Sequence, residues 1–150
     1  MTSSNENLRQ IRLRWSGDGL VFRGGPDGGP EVVVDGGADQ GPAPMQQLLL
    51  AVAGCMGIDI KMILEKSRVP MDGLEIEAIG ERAEEAPRRY VRLELVCRVK
   101  GPGPEDAEKV LRAVELSRDK YCSVLHSLDP SMDVTVTVPG FSGPDAASLG

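Results

Sequence analysis

Few side chains in this sequence could do covalent chemistry: three cysteines, Cys55, Cys97 and Cys122, and one histidine, His126. A thiolate is both a nucleophile and a metal ligand. Two thiols that converge in space can cycle through a disulfide: one attacks an oxidant and becomes a sulfenic acid, and the other condenses with it. Cys55 lies in the run from Leu48 to Ile58, where its thiol is the one polar side-chain group. Apolar burial raises a thiol pKa, and a position roughly three turns into a helix is too far from the N-terminus for help from the dipole. A reactive Cys55 therefore needs a cation from elsewhere in the fold or from a second subunit. Taken alone, a buried cysteine is more often structural than catalytic. Cys122 alters that weighing, because Lys120-Tyr121-Cys122-Ser123 is a polar segment expected near the surface. Sequence separation neither supports nor excludes their convergence.

The other candidates are weaker. Cys97 alternates in register with Val91, Leu93, Leu95 and Val99, so it reads as a small buried hydrophobe. His126 lies four residues after Cys122 and could share a helical face with it. A zinc site wants four ligands, and no close cluster supplies them, so no metal or cofactor is expected and His126 reads as a solvated or capping residue. The carboxylates are scattered on polar faces, without a Ser-His-Asp arrangement. The glycine-rich Gly24 to Pro30 lacks the Gly-Lys-Ser/Thr ending of a phosphate loop and the helix that should follow, so it reads as a hairpin turn.

The elements that must position these groups follow from periodicity. Pro44 to Lys66 predicts a helix apolar nearly all round, hence buried on every face, with Pro44 in its first turn. Asp59 and Lys61 interrupt the apolar run and make it too short for a bilayer. Before it, Arg9 to Trp15, Leu20 to Arg23 and Glu31 to Asp35 predict three strands, the first half-buried, with Ile11, Leu13 and Trp15 on one face and Arg12 and Arg14 on the other. After it, the alternating runs from Leu74 to Ala78 and from Val91 to Val99 predict an antiparallel pair with one wet face. Pro104 to Ser117 reads as an amphipathic helix, Arg118 to Leu128 as a shorter helix or helical turn holding Cys122, and Val134 to Val138 as a last strand. Residues 1–8 and 140–150 read as mobile tails. The order predicts an α+β fold with antiparallel sheets wrapped around a central helix, in a single domain.

Composition excludes several classes. The chain has a formal charge of −6 and no basic stripe to neutralise phosphates, which argues against nucleic acid as a partner. At 3% aromatic residues it also lacks base-stacking platforms. The polar start MTSSNENLRQ carries no apolar signal segment, and an odd number of widely spaced cysteines is no disulfide scaffold. A soluble cytoplasmic protein is expected, with no membrane partner.

Two segments carry a resemblance. PMQQLLLAVAGCMGIDI around Cys55 and KYCSVLHSL around Cys122 resemble the OsmC (osmotically inducible protein C) and organic hydroperoxide resistance family, and the element order agrees along nearly the whole chain. The resemblance implies an intertwined homodimer with two central helices back to back, wrapped by sheets of both subunits. It implies Cys55 as the peroxidatic cysteine and Cys122 as the resolving one. It also implies an organic hydroperoxide as substrate and a dithiol reductant, lipoylated protein in the best-known branch. Peroxidase members carry a glutamate just inside the helix start and an arginine from a preceding strand or loop. Here Met45 stands at the glutamate's position, followed by Gln46 and Gln47, and Arg14 and Arg23 are the arginines that could substitute. In these features the sequence is similar to the Pro-Met branch of the family.

Two functions are therefore expected to compete. One is a thiol-dependent peroxidase using Cys55 and Cys122 in oxidative stress defence. The other is a non-catalytic or redox-sensing dimer that binds a small apolar ligand in the cleft around Cys55.

Overall fold

The computed structural model describes residues 5–141. The chain divides into two compact units, Met1–Leu48 and Leu49–Gly150, with the boundary inside the long helix. The first unit is a three-stranded antiparallel meander of β1 (Arg12–Trp15), β2 (Val21–Gly25) and β3 (Val32–Asp35), paired in that order. Its strands lie where alternation placed them, but β1 does not turn its apolar side into a core. Ile11, Leu13 and Trp15 are 66%, 47% and 58% exposed. Alternation reports a two-faced strand and does not say what covers the apolar face.

The loop from β3 into the helix is organised by one buried carboxylate. Asp35 accepts hydrogen bonds from the backbone N–H groups of Gly37 (2.8 Å), Gln40 (2.9 Å) and Asp39 (3.2 Å). These bonds to the charged form hold its pKa below the usual carboxylate range. Helix α1 (Pro44–Lys66) then starts as its sequence suggested. Pro44 occupies the first turn, and the Gln46 amide oxygen reaches back to the Ala43 N–H at 2.9 Å, one half of a capping box. The Gln47 amide donates to the Val33 and Pro42 carbonyls at 2.7 and 3.1 Å, tying the helix start to β3.

In the second unit, β4 (Gly73–Arg82) and β5 (Tyr90–Lys100) form the long antiparallel pair, with Ile76 opposite Cys97 and Ala78 opposite Leu95. Gly80 lies on β4 where the Tyr90 ring packs against the backbone: a Cβ there would stand 2.4 Å from Tyr90 Cε1. β6 (Asp133–Thr137) joins the other side of β5 in parallel, Leu93 opposite Val134. This corrects the expectation of purely antiparallel sheets. The 32 residues between β5 and β6 carry a helical crossover, and a crossover returns the chain in the direction of the strand it left. That crossover is a 3₁₀ turn (Pro104–Asp106), α2 (Ala107–Leu116), a π-helical turn (Ser117–Tyr121) and the single-turn α3 (Ser123–His126).

The core of this unit lies between sheet and helices. Val52, Met56, Ile60 and Leu64 of α1 are at most 1% exposed and meet Leu93, Leu95 and Cys97 of β5 and Val110, Ala113 and Val114 of α2. Each such large side chain contributes roughly 1.5–3 kcal/mol by leaving water. The four α1 residues recur every fourth position and form one stripe. The remaining helix surface is open in the single chain: Leu50, Ile58 and Met62 are 59%, 63% and 50% exposed. The expectation of burial on every face is therefore not met within one chain. By length and composition alone, the helix is also long and apolar enough to cross a membrane, with a mean hydropathy of 1.7 over 18 residues, a property that core helices of soluble proteins share.

The expected tails fall largely on residues 1–4 and 142–150, outside the described residues. Within them, the Leu8 N–H closes a turn onto the Asn5 carbonyl at 2.9 Å. Phe141 does not belong to a tail: it is buried against the core.

Candidate functional site

The structure brings Cys55 and Cys122 together. α1 presents Cys55 one residue before the buried Met56, so its side chain sits at the edge of the buried stripe, half-buried. Cys122 lies in the break between the π-helical turn and α3, with extended backbone at φ −70° and ψ 93°. As the residue capping α3, it accepts the Leu125 N–H on its sulfur at 3.4 Å. Its own N–H donates to the Ser117 carbonyl at 2.7 Å. The expected exposures are reversed. Cys122 is completely buried and Cys55 is the accessible thiol. Polar neighbours in sequence say little about a residue whose backbone turns inward at a cap.

The electrostatics follow from this geometry. Burial alone would raise the Cys55 pKa, but hydrogen bonds from the Val124 N–H, the Ser123 hydroxyl, the Cys122 thiol and the Ser123 N–H outweigh it, and the net shift is downward. Ser123 Oγ stands 3.8 Å from Cys55 Sγ. Within the single chain the lowering of the Cys55 pKa comes without the expected cation. The groups that lower it are dipoles from residues 122–124, not a guanidinium. Arg14, one of the two candidate arginines, is ion-paired with Glu31, and Arg23 faces it across the β1–β2 ladder. Cys122 moves the other way, up to about 11, mainly through burial and also because a charged Cys55 and the Asp59 carboxylate oppose a second negative charge. The two thiols are therefore driven apart: Cys55 loses its proton before Cys122, which keeps its own and donates it toward the Cys55 sulfur.

The remaining candidates stay outside. Cys97 is fully buried, its thiol donates to Met56 Sδ at 3.9 Å, and burial lifts its pKa to about 11, as a packing residue should show. His126 is exposed and its Nε2 lies 3.0 Å from the Arg118 carbonyl. A carbonyl only accepts, so Nε2 carries the proton, and His126 serves as a tie across the π-helical turn. Among the described residues no group of His, Cys, Asp or Glu is arranged to hold a metal.

Three residues of the site were not singled out from the sequence: Ser123, Asp59 and Ser117. Ser123 adjoins Cys122, and Asp59 follows Cys55 by four residues, so it stands one turn along the same face. Ser117 carried no signal. It is fully buried, and its hydroxyl donates to Asp59 Oδ2 at 2.9 Å.

A long helix carrying an accessible, depressed thiol, opposed by a buried thiol from a helical crossover in a two-sheet α+β fold, defines a paired-cysteine protein. The chain belongs to the OsmC-like protein family, whose model matches residues 36–137. Protein YhfA of Escherichia coli K12 is 39% identical over 127 residues, covering 84% of this chain and 93% of that protein. The crystal structure of a hypothetical protein from Aquifex aeolicus VF5 superposes with a TM-score of 0.77 at 29% identity, over 87% of this chain and 94% of that one. The organic hydroperoxide resistance protein OhrB of Bacillus subtilis shares the fold, with a TM-score of 0.56 at 18% identity over 86% of this chain and 96% of that one.

Proposed function

We propose that this protein is a cytoplasmic, thiol-dependent reductase of organic hydroperoxides, built as a homodimer of single OsmC-like domains. The observation that carries the reading is the pairing of Cys55 with Cys122: an accessible thiol of lowered pKa with a protonated thiol bonded to it. The Cys55 thiolate attacks the terminal oxygen of ROOH, the O–O bond breaks, and the alkoxide leaves as ROH on taking a proton from water, with Cys55 as sulfenic acid. The Cys122 sulfur then attacks the Cys55 sulfur. An S–S bond forms, the S–O bond breaks, and the hydroxide leaves with the Cys122 proton as water. A dithiol reductant, such as a lipoylated protein, restores both thiols, entering at Cys55 because Cys122 is buried. The apolar surroundings of Cys55 favour an organic hydroperoxide over hydrogen peroxide.

The homodimer accounts for the open side of α1. Leu50, Ile58 and Met62 are large apolar side chains left in water by the single chain, and a second copy of the helix would cover them. The test of function is a thiol count on the reduced protein before and after one equivalent of cumene hydroperoxide. Rapid loss of two thiols with recovery of a Cys55–Cys122 peptide supports the reading, and Cys55→Ser abolishes turnover. Survival of all three thiols would turn the assignment to a dimer that binds a small apolar ligand beside Cys55.

A further inference from the structure

We propose that Asp59, acting through Ser117, is the positioning residue that holds Cys122 against Cys55. This inference rests on the two-cysteine reading for its biological use, but its physical content is the geometry of the pair. Cys122 is held by no regular element: it follows a π-helical turn and precedes a helix of a single turn. Such a segment has little intrinsic rigidity, because one turn of helix is below the length that is stable alone. Something must fix it relative to α1.

The fixing contact runs through Ser117. Ser117 Oγ donates to Asp59 Oδ2 at 2.9 Å, and the Ser117 carbonyl accepts the Cys122 N–H at 2.7 Å. Asp59 is one turn beyond Cys55 on the same rigid helix. The chain of contacts therefore starts and ends at the two thiols: Cys55, one turn of α1, Asp59, Ser117, the Cys122 backbone. Ser117 is fully buried, so water does not compete for its hydroxyl and the bond is charge-assisted in a low-dielectric setting. Asp59 is half-buried on α1, and one of its carboxylate oxygens is taken up by the buried Ser117 hydroxyl. It makes no ion pair shorter than 4 Å among the described residues, and its hydrogen-bond partner there is the Ser117 hydroxyl.

Asp59 does not touch the substrate or take a proton in the scheme above. Its effect is on the second step, where the Cys122 sulfur must reach the Cys55 sulfur as the S–O bond breaks. The test uses the full-length protein as wild type, Asp59→Ala, Asp59→Asn and Ser117→Ala. Each reduced protein is mixed with glutathione disulfide, quenched with acid at timed intervals, alkylated and analysed by mass for the Cys55–Cys122 disulfide. Glutathione disulfide accepts the two electrons and both thiol protons pass to the released glutathione, so no peroxidase activity is needed.

Asp59→Ala and Ser117→Ala should each lower the rate of intramolecular disulfide formation about tenfold, the effect of one charge-assisted hydrogen bond. Asp59→Asn keeps an acceptor oxygen for Ser117 without the charge and should fall between wild type and Asp59→Ala. Alkylation of Cys55 by iodoacetamide should change less than the disulfide step in every variant, which a general loss of structure would not allow. Wild-type disulfide formation in Asp59→Ala, or equal damage in Asp59→Asn and Asp59→Ala, would overturn the proposal. Ser117→Ala leaves α1 untouched and decides the matter if Asp59→Ala does not fold. Reaction with cumene hydroperoxide, run in parallel, separates the two readings: a wild type inert to the hydroperoxide whose glutathione-driven disulfide still depends on Asp59 loses the peroxidase assignment and keeps this one.

Discussion

At the scale of the residue, the pair of thiols shows how one environment drives two equal groups apart. Cys55 receives four hydrogen-bond donors and Cys122 receives burial and a neighbouring negative charge. The prediction is a strict order of reactivity. In the reduced protein at neutral pH, iodoacetamide should modify Cys55 first, with Cys97 and Cys122 silent until the protein unfolds, as peptide mapping would show. The sign of the pH dependence follows from the downward shift: the alkylation rate of Cys55 should rise and reach its plateau at lower pH than for a free cysteine of pKa about 8.5. Ser123→Ala removes one donor and should move that profile back toward higher pH, slowing alkylation at pH 7 by roughly fivefold. A profile unchanged by that substitution would assign the effect to the backbone N–H groups and the Cys122 thiol. Much of this scale was legible beforehand. Both cysteines and the inert character of Cys97 were readable, because their sequence contexts differ. The exposure of Cys55 and Cys122 was not, because it depends on which side of each segment the chain folds against.

At the scale of the element, the helix start and its preceding loop are the clearest local design. Asp35, Gln46 and Gln47 bind backbone groups that the turn out of β3 leaves unpaired. Since the folded-state pKa of Asp35 lies below its unfolded value, its contribution is present above the unfolded pKa of about 3.9 and is lost as pH falls through the lowered folded value. Asp35→Ala should therefore lower Tm at pH 7, and the gap to wild type should narrow as the pH is taken down toward 3. A gap independent of pH, measured by thermal unfolding across that range, would place the effect in packing and not in the charge. The boundaries of α1 were readable to the residue, because Pro44 opens it and Val69 before Pro70 cannot continue it. The segment after α2 was not. RDKYCSVLHSL reads as one short helix or helical turn, yet it breaks at Cys122, whose N–H closes the π-helical turn onto Ser117 while its sulfur caps α3.

At the scale of the whole molecule, the open face of α1 leaves large apolar side chains in water, and the proposed dimer would cover them. Ile58→Lys places a charge on that face without touching the buried stripe of Val52, Met56, Ile60 and Leu64. Light scattering coupled to size exclusion should find the wild type dimeric and Ile58→Lys monomeric, and thermal stability should become less dependent on protein concentration in the variant. A wild type that is monomeric at all concentrations would remove the homodimer from the proposed function.

The amino-acid sequence by itself determined the order of elements, the long apolar helix and the placement of a cysteine on that helix and another before the last strand. These are local quantities: periodicity, capping and turn chemistry act over a few residues and are written in order along the chain. The tertiary structure alone decided that β6 runs parallel to β5, that Cys122 is the buried thiol, and that dipoles of residues 122–124 lower Cys55 where a cation was expected. Each of those depends on contacts between segments far apart in the chain, and the energies that set them arise only once burial has removed the competing water.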